Sequence, residues 1–254
     1  MNQPIGFFDS GIGGMSLLPA VEVLLPLESI CYIADHAYSP YGEKPLDVVL
    51  NRARVITKHL LHLNCKLIVL ACNTATTQII DQLRAEFPVS FVGIEPAIKP
   101  AALATKTRKI GVLATKGTLE LFHQSVTKHG SGIDIVSKIG KGLVACVEAG
   151  KSNDQATKEL LKSHLAPLID KGIDTLVLGC THYPFLIKMM KQILPSGVIV
   201  IDNSQAIANQ IQHLLKKENN LSGKGSVKKR QFYSTQKENN LGLFTSAPVE
   251  YLPL

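Results

Sequence analysis

A chain of 254 residues, 45% hydrophobic and 19% charged, carries enough apolar material for packed cores and is not a disordered protein. That length suits one large domain or two lobes of about 125 residues each. The formal net charge of +7 would suit nucleic acid, but residues 216–230 ("KKENNLSGKGSVKKR") hold six basic residues against one acidic and supply +5 of it; the excess reads as one solvated loop with no binding motif, and no nucleic-acid partner is expected.

The N-terminus, "MNQPIGFFDSG", has no basic leader ahead of a long apolar stretch, so it reads as a first strand and not as a signal peptide. Buried strands are predicted at 5–8 ("IGFF"), 29–34 ("SICYIA"), 66–72 ("KLIVLAC"), 90–94 ("SFVGI"), 109–114 ("KIGVLA"), 174–180 ("DTLVLGC") and 198–201 ("VIVI"). Between them, residues 48–63, 76–87 and 156–172 carry the i, i+3, i+4 apolar spacing of helices. Such alternation predicts an α/β fold with parallel sheets covered by helices on both faces. No stretch approaches the roughly 18 to 20 apolar residues that cross a bilayer, so a cytoplasmic location and no membrane partner are expected.

An internal repeat runs through this pattern. "LIVLACNTATTQIIDQL" (67–83) lies over "TLVLGCTHYPFLIKMMK" (175–191), with Leu70 on Leu178, Cys72 on Cys180 and Asn73-Thr74 on Thr181-His182. "IGFFDS" (5–10) lies over "IGVLAT" (110–115) at nearly the same offset. The duplication predicts two pseudo-symmetric, doubly wound lobes with the active site in the cleft between them. Pro96 and Pro100 punctuate the boundary, which gives a first lobe of 1–94 plus about 208–254 and a second of about 95–207. In open parallel sheets ligands bind beyond the carboxyl ends of the strands, and Asp9-Ser10, Cys72-Asn73-Thr74, Thr115 and Cys180-Thr181-His182 all fall there.

Five cysteines at no framework spacing read as thiols in a reducing compartment, and no pair has the C-x(2–4)-C spacing of a zinc site. Cys31, Cys65 and Cys146 read as small buried hydrophobes. Cys72 and Cys180 differ, because each ends a strand ahead of a helix, whose N-terminus favours a thiolate. Two thiols in matched positions suit one reaction above others. One thiolate removes a proton from a stereocentre and the opposing thiol protonates the other face, which is two-base racemisation or epimerisation.

Each base needs a neighbour to set its protonation state, and Asp9 and His182 are suitably placed. Asp9, in "DSGIGG", also fits a helix N-cap with glycines for a tight turn, or a phosphate cradle. The Walker spacing and lysine are missing, and Ser16 replaces the third glycine of a dinucleotide fingerprint. His182 also fits a structural histidine; as a metal ligand beside Cys180 it would need a third ligand that no motif supplies, so no metal is expected. Glu148, at a helix end, reads by itself as structural.

"FFDSGIGGMSLL" (7–18), "SPYGEK" (39–44), "ACNTATT" (71–77), "VGIEPAIKPA" (92–101) and "LGCTHYPFL" (178–186) together resemble glutamate racemases of the aspartate/glutamate racemase superfamily, in the family's motif order. The resemblance implies a cofactor-independent isomerase with two pseudo-symmetric α/β lobes that makes D-glutamate for peptidoglycan and so serves cell-wall biogenesis and cell shape. It implies Cys72 as the base acting on D-glutamate and Cys180 as the base acting on L-glutamate. Asp9 would assist Cys72, while Glu148 and His182 would assist Cys180. Asp9, Ser10, Tyr41, Gly42, Asn73, Thr74, Thr115, Thr118, Thr181 and His182 would hold the substrate's carboxylates and ammonium.

There are departures from the family pattern. Tyr38 stands where many members have arginine, so no local ion pair is expected from it. "GTLELFHQ" (117–124) keeps Thr118 but lacks the serine and tyrosine common after it, and "FYSTQKENNLGLF" (232–244) lacks the usual glycine–acid pair. A relative acting on aspartate, or one using a single cysteine for decarboxylation, is the nearest alternative, and the presence of both cysteines argues for two-base chemistry. A non-catalytic binding or regulatory module is the alternative of a different class. Some relatives contact DNA gyrase, a partner this sequence neither supports nor opposes. It leaves oligomeric state open, a homodimer included.

Overall fold

The computed structural model describes residues 3–119 and 132–254. In chain order the elements begin β1 (Ile5–Asp9), α1 (Leu18–Leu24), β2 (Ile30–Ala34), α2 (Leu46–His62), β3 (Leu67–Leu70), α3 (Asn73–Glu86) and β4 (Ser90–Gly93). There follow α4 (Ile98–Ala104), β5 (Lys109–Ala114), β6 (Asp134–Ile139), α5 (Leu143–Glu148), α6 (Gln155–Asp170), β7 (Thr175–Gly179), α7 (Ile187–Ile193) and β8 (Ile199–Ile201). The last elements are α8 (Ser204–Lys217), β9 (Arg230–Ser234) and β10 (Val249–Tyr251). The chain forms two units, one of residues up to Ile94 together with Ser204–Leu254, the other of Glu95–Asn203.

The first unit holds a parallel sheet in the order β10-β9-β2-β1-β3-β4. β1, β2 and β3 are buried along their whole length, which is why they read as continuous apolar runs and not as alternating ones. α2 presents Val49, Arg52, Ala53, Ile56, Thr57 and Leu60 to the interior, an i, i+3/4, i+7 stripe that packs on Phe8, Ile68 and Leu70. Burying each such Ile or Leu contributes about 1.5–3 kcal/mol.

The second unit holds a parallel sheet in the order β6-β5-β7-β8. Matching β1 to β5, β2 to β6, β3 to β7 and β4 to β8 reproduces the order β2-β1-β3-β4, which is the first unit's sheet without β9 and β10. The register agrees as well. Phe8 pairs with Leu70 in the first sheet, and Leu113 pairs with Leu178 in the second. These are the residues that the two sequence offsets superpose, so the duplication is one of strand pairing and not only of local sequence.

The strands the sequence does not announce are β6, β9 and β10. β6 and β10 are edge strands with half-exposed faces, and β9 opens on Arg230 and Gln231, so none shows an unbroken apolar run. The expectation of one solvated loop over 216–230 needs correction at both ends. Lys216 and Lys217 form the last turn of α8, and Arg230 begins β9. Arg230 donates to Glu22 (Nε, 2.7 Å) and to the Glu28 carbonyl (Nη1, 2.8 Å). Glu28 is buried, pairs with Lys66 at 2.7 Å, and accepts the Ser222 N–H and hydroxyl at 2.7 Å each. Lys224, Lys228 and Lys229 remain exposed, as expected of solvated charge.

No described helix is long and apolar enough to cross a membrane. No cysteine is in a disulfide.

Candidate active site

At the carboxyl end of the first unit's central strands, Asp9 closes β1 and Cys72 lies two residues beyond β3 on the adjacent strand. Asp9 is fully buried, and its Oδ1 accepts the Ser10 hydroxyl at 3.1 Å and the Gly11 N–H at 3.3 Å. The reading of Asp9 as a helix N-cap does not hold. The "DSGIGG" segment enters a 3-10 turn at Gly13–Leu17 whose cap residue is Ile12. Gly14 is there because a Cβ would strike the Ala71 methyl at 2.7 Å and the Tyr32 hydroxyl at 2.9 Å, so the turn lies flat against the end of β3.

Cys72 occupies the N-cap position of α3 with an extended backbone, and its carbonyl accepts the Thr76 N–H at 2.8 Å. The thiol is therefore at the positive end of a 14-residue helix. Asn73 donates to the Ile94 carbonyl at 3.4 Å, and both Asn73 and Thr74 are buried in the first turn. The Thr76 hydroxyl bonds the Leu70 carbonyl and receives the Ile94 N–H, each at 3.0 Å, which ties β3, α3 and β4 together behind the thiol.

Tyr41 and Gly42 lie in the 3-10 turn Tyr41–Glu43. The Tyr41 hydroxyl is committed: it donates to Asp35 Oδ2 at 2.6 Å. Asp35, at the end of β2, also takes Arg52 Nε (3.0 Å), Arg52 Nη2 (2.7 Å) and the Thr235 hydroxyl (2.9 Å). Burial first, then the Asp35 carboxylate and the nearby Cys72, hold the Tyr41 phenol well above its ordinary pKa, so it stays a neutral donor. Tyr38 makes no ion pair of its own; the Arg52 guanidinium lies 4.1 Å over its ring. Sequence reading missed Asp35, Arg52 and Thr235. Asp35 is an acid at a strand end, the criterion that picked out Asp9.

In the second unit Thr115 follows β5, and its hydroxyl lies 3.0 Å from that of the buried Thr118. Positions 120–124 of the "GTLELFHQ" stretch lie outside the described residues. Cys180 follows β7 directly, but it is not a helix cap; residues 180–182 turn first, and a 3-10 turn begins at Tyr183. Gly179 lets this strand end close, since a Cβ would meet that of Ala114 at 2.6 Å.

The turn sets three groups in line. Cys180 Sγ lies 3.7 Å from His182 Nδ1, and His182 Nε2 lies 2.5 Å from Glu148 Oε1. His182 is buried, while the Glu148 side chain is 19% exposed at the end of α5. Burial works against the imidazolium, but the hydrogen bonds and charges of Cys180 and Glu148 outweigh it and raise the His182 pKa well above the ordinary histidine value. A protonated ring donates from both nitrogens, which fits a thiolate on one side and a carboxylate on the other. Glu148 looks structural in sequence, and only the fold brings it to His182. Thr181, between Cys180 and His182 in the turn, is buried.

The described residues thus place Asp9, Ser10, Cys72, Asn73 and Thr74 at neighbouring strand ends of one unit. They place Thr115, Thr118, Cys180, Thr181, His182 and Glu148 at the equivalent end of the other. No described group of three His, Cys, Asp or Glu side chains is arranged to hold a metal ion.

Residues 28–211 match the Asp/Glu/Hydantoin racemase family model. The chain is 46% identical over 221 residues to the glutamate racemase of Ectopseudomonas mendocina (strain ymp), covering 85% of this chain and 84% of that protein. It is similar to the solved structure of Escherichia coli glutamate racemase in complex with L-glutamate and the activator UDP-MurNAc-Ala, with a TM-score of 0.88, 30% identity and 98% of each chain covered. It is similar also to the glutamate racemase of Francisella tularensis subsp. tularensis SCHU S4 in complex with D-glutamate, with a TM-score of 0.85, 28% identity, and 99% of this chain and 97% of that one covered.

Proposed function

Since the chain belongs to the Asp/Glu/Hydantoin racemase family and is an isomerase that racemises amino acids, we propose that it interconverts L- and D-glutamate without a cofactor, through Cys72 and Cys180. The observation that carries this reading is the duplication. The same strand order repeats, and each copy ends its third strand in the same thiol. A reaction whose substrate and product are mirror images needs one base for each face.

In the L-to-D direction the Cys180 thiolate takes the α-proton, and the Cys72 thiol gives its proton to the opposite face. The products are D-glutamate, a Cys180 thiol and a Cys72 thiolate, so the reverse reaction starts from the state the forward one leaves. A thiolate is far less basic than the carbanion it would generate, so removal and delivery of the proton must overlap. Negative charge develops on the α-carboxylate, where hydroxyl, amide and backbone N–H donors stabilise it without reorganisation. Ser10, Asn73, Thr74, Thr115, Thr118 and Thr181 supply such donors. Tyr41 and Gly42 contribute through their main chain, because the Tyr41 hydroxyl serves Asp35.

The His182 imidazolium favours the Cys180 thiolate and is itself held by Glu148. Asp9 assists Cys72. In this reading the protein works in the cytoplasm, supplying D-glutamate for peptidoglycan.

The test is incubation of the purified protein with L-glutamate in D2O, without added pyridoxal phosphate or metal. The α-proton is followed by NMR and the enantiomers by chiral separation. Loss of the α-proton signal together with growth of D-glutamate is expected. Exchange with aspartate but not glutamate would replace the substrate, and silence with both from folded protein would overturn the reading.

A further inference from the structure

We propose that Tyr183 is a positioning residue for the Glu148–His182 pair, holding by its hydroxyl the start of the helix whose end carries Glu148. The inference deepens the racemase reading and rests on it for its meaning, but not for its test.

The geometry is a two-ended grip. His182 and Tyr183 are consecutive, and α5 is only six residues long. The His182 ring takes Glu148, the last residue of α5, at 2.5 Å. The Tyr183 hydroxyl donates to the Gly140 carbonyl at 3.2 Å, and that same carbonyl accepts the N–H of Leu143, the first residue of α5, at 3.2 Å. Adjacent side chains on the Cys180 turn therefore hold the two ends of one short helix.

The start of α5 is closely fitted to its neighbours. Gly140 has no room for a side chain, because a Cβ there would run into the Tyr183 hydroxyl and lie 2.9 Å from ring carbon Cζ. Gly142 sits in the left-handed region at φ +83°, a conformation suited to glycine. Between them the Lys141 carbonyl lies 2.9 Å from His164 Nε2 of α6. Tyr183 is wholly buried, and its pKa stands well above the ordinary value, first from burial and then from the charge of Cys180, so the hydroxyl remains a donor. A six-residue helix lacks the length to hold itself in place; its position is set by these contacts and by the buried Leu143 and Val147.

The consequence is electrostatic. Among the described residues, the titratable groups acting on the His182 ring are Cys180 and Glu148, and both raise its pKa. Tyr183 and His164 direct their polar atoms at the main chain of 140–141 instead. Loosening the start of α5 lets Glu148 move off Nε2 and lowers the His182 pKa, whereas a purely structural tyrosine would change stability and leave that pKa where it was.

The experiment is an NMR titration of the His182 ring in Y183F, E148Q and the double variant, using full-length labelled protein without substrate. Y183F keeps the ring that fills the space over Gly140. A downward shift of about half a pH unit is expected in Y183F. A larger shift is expected in E148Q, with no further shift when Y183F is added to it. An unshifted His182 in folded Y183F, or full additivity in the double variant, overturns the proposal. Should Y183F not fold, H164Q, which releases the neighbouring carbonyl, is expected to lower the same pKa, and its failure to do so in folded protein overturns the proposal equally. Because turnover is not the readout, a protein inactive on glutamate would count against the racemase reading and leave this one standing or falling on the titration.

Discussion

The two thiols occupy equivalent positions in a duplicated strand order, yet their surroundings are built from different groups. Cys180 has an imidazole 3.7 Å away, backed by a carboxylate, so its immediate neighbour is cationic. Cys72 is followed by the neutral Asn73 and Thr74, and the side chains at its end of the sheet include the Asp9 carboxyl and the Asp35–Arg52 ion pair. Duplication thus preserved the thiol and not its neighbours. Cys72 caps the N-terminus of α3, while the 180–182 turn keeps Cys180 off a helix end and sets an imidazole beside it instead.

The sharpest way to break this comparison is to remove either thiol. Cys72→Ser and Cys180→Ser are each expected to reduce racemisation by roughly a thousandfold or more, with unfolding curves near those of the parent. Any residual α-proton exchange in D2O should be confined to D-glutamate in the Cys180 variant and to L-glutamate in the Cys72 variant. Near-parent turnover in either would end the two-thiol mechanism, and exchange of both enantiomers in either variant would mean that a thiol serves both faces.

A step smaller is the imidazole. His182→Asn is expected to cost about 10²–10³ in turnover, the lower part of the range for a lost proton-handling group. The two enantiomers have equal free energies, so kcat/KM must stay equal in both directions in this and every variant. An unequal partner shows only in kcat and KM taken separately, and His182→Asn should unbalance kcat between the directions. The pH dependence follows from the raised His182 pKa. The stabilisation from its charged contacts is complete below about 6.5, the unfolded value, and is lost as pH rises through the folded one. Denaturation midpoints of parent and His182→Asn should therefore converge toward alkaline pH. A gap that widens with pH would mean that the ring is neutral when folded.

Much of this was written in the sequence. Fully buried parallel strands must be apolar throughout, so β1, β3, β5 and β7 announce themselves, and the polar residues that end them stand out. The agreement of the Phe8–Leu70 and Leu113–Leu178 pairs with the two sequence offsets shows that the repeat carried register information. What was illegible depends on side chains far apart in the chain. Glu148 meets His182 across 34 residues, and nothing local to a short helix end marks it. Tyr183 looks like one more apolar residue in "THYPFL" until its hydroxyl is found on Gly140, 43 residues back. Arg52 did leave a trace: it falls on the apolar stripe of α2 between Val49 and Ile56, and a charge at such a position demands a buried partner.

That buried partner gives the smallest test of the comparison. Arg52→Lys keeps the charge opposite Asp35 but gives up the two-pronged contact, 3.0 Å from Nε and 2.7 Å from Nη2, and the stacking over Tyr38. Urea denaturation should register a loss of about 1.5–3 kcal/mol, the range for hydrogen bonds to a charged group. Turnover should fall by no more than about threefold, because Asp35 still holds the Tyr41 hydroxyl and Thr235 and the Cys72 end needs this network only to stay in shape. If folded Arg52→Lys protein lost as much turnover as the His182 variant, the guanidinium would be acting on Cys72 with the weight that the imidazole has for Cys180. The two ends would then differ in which cation they use and not in whether they use one.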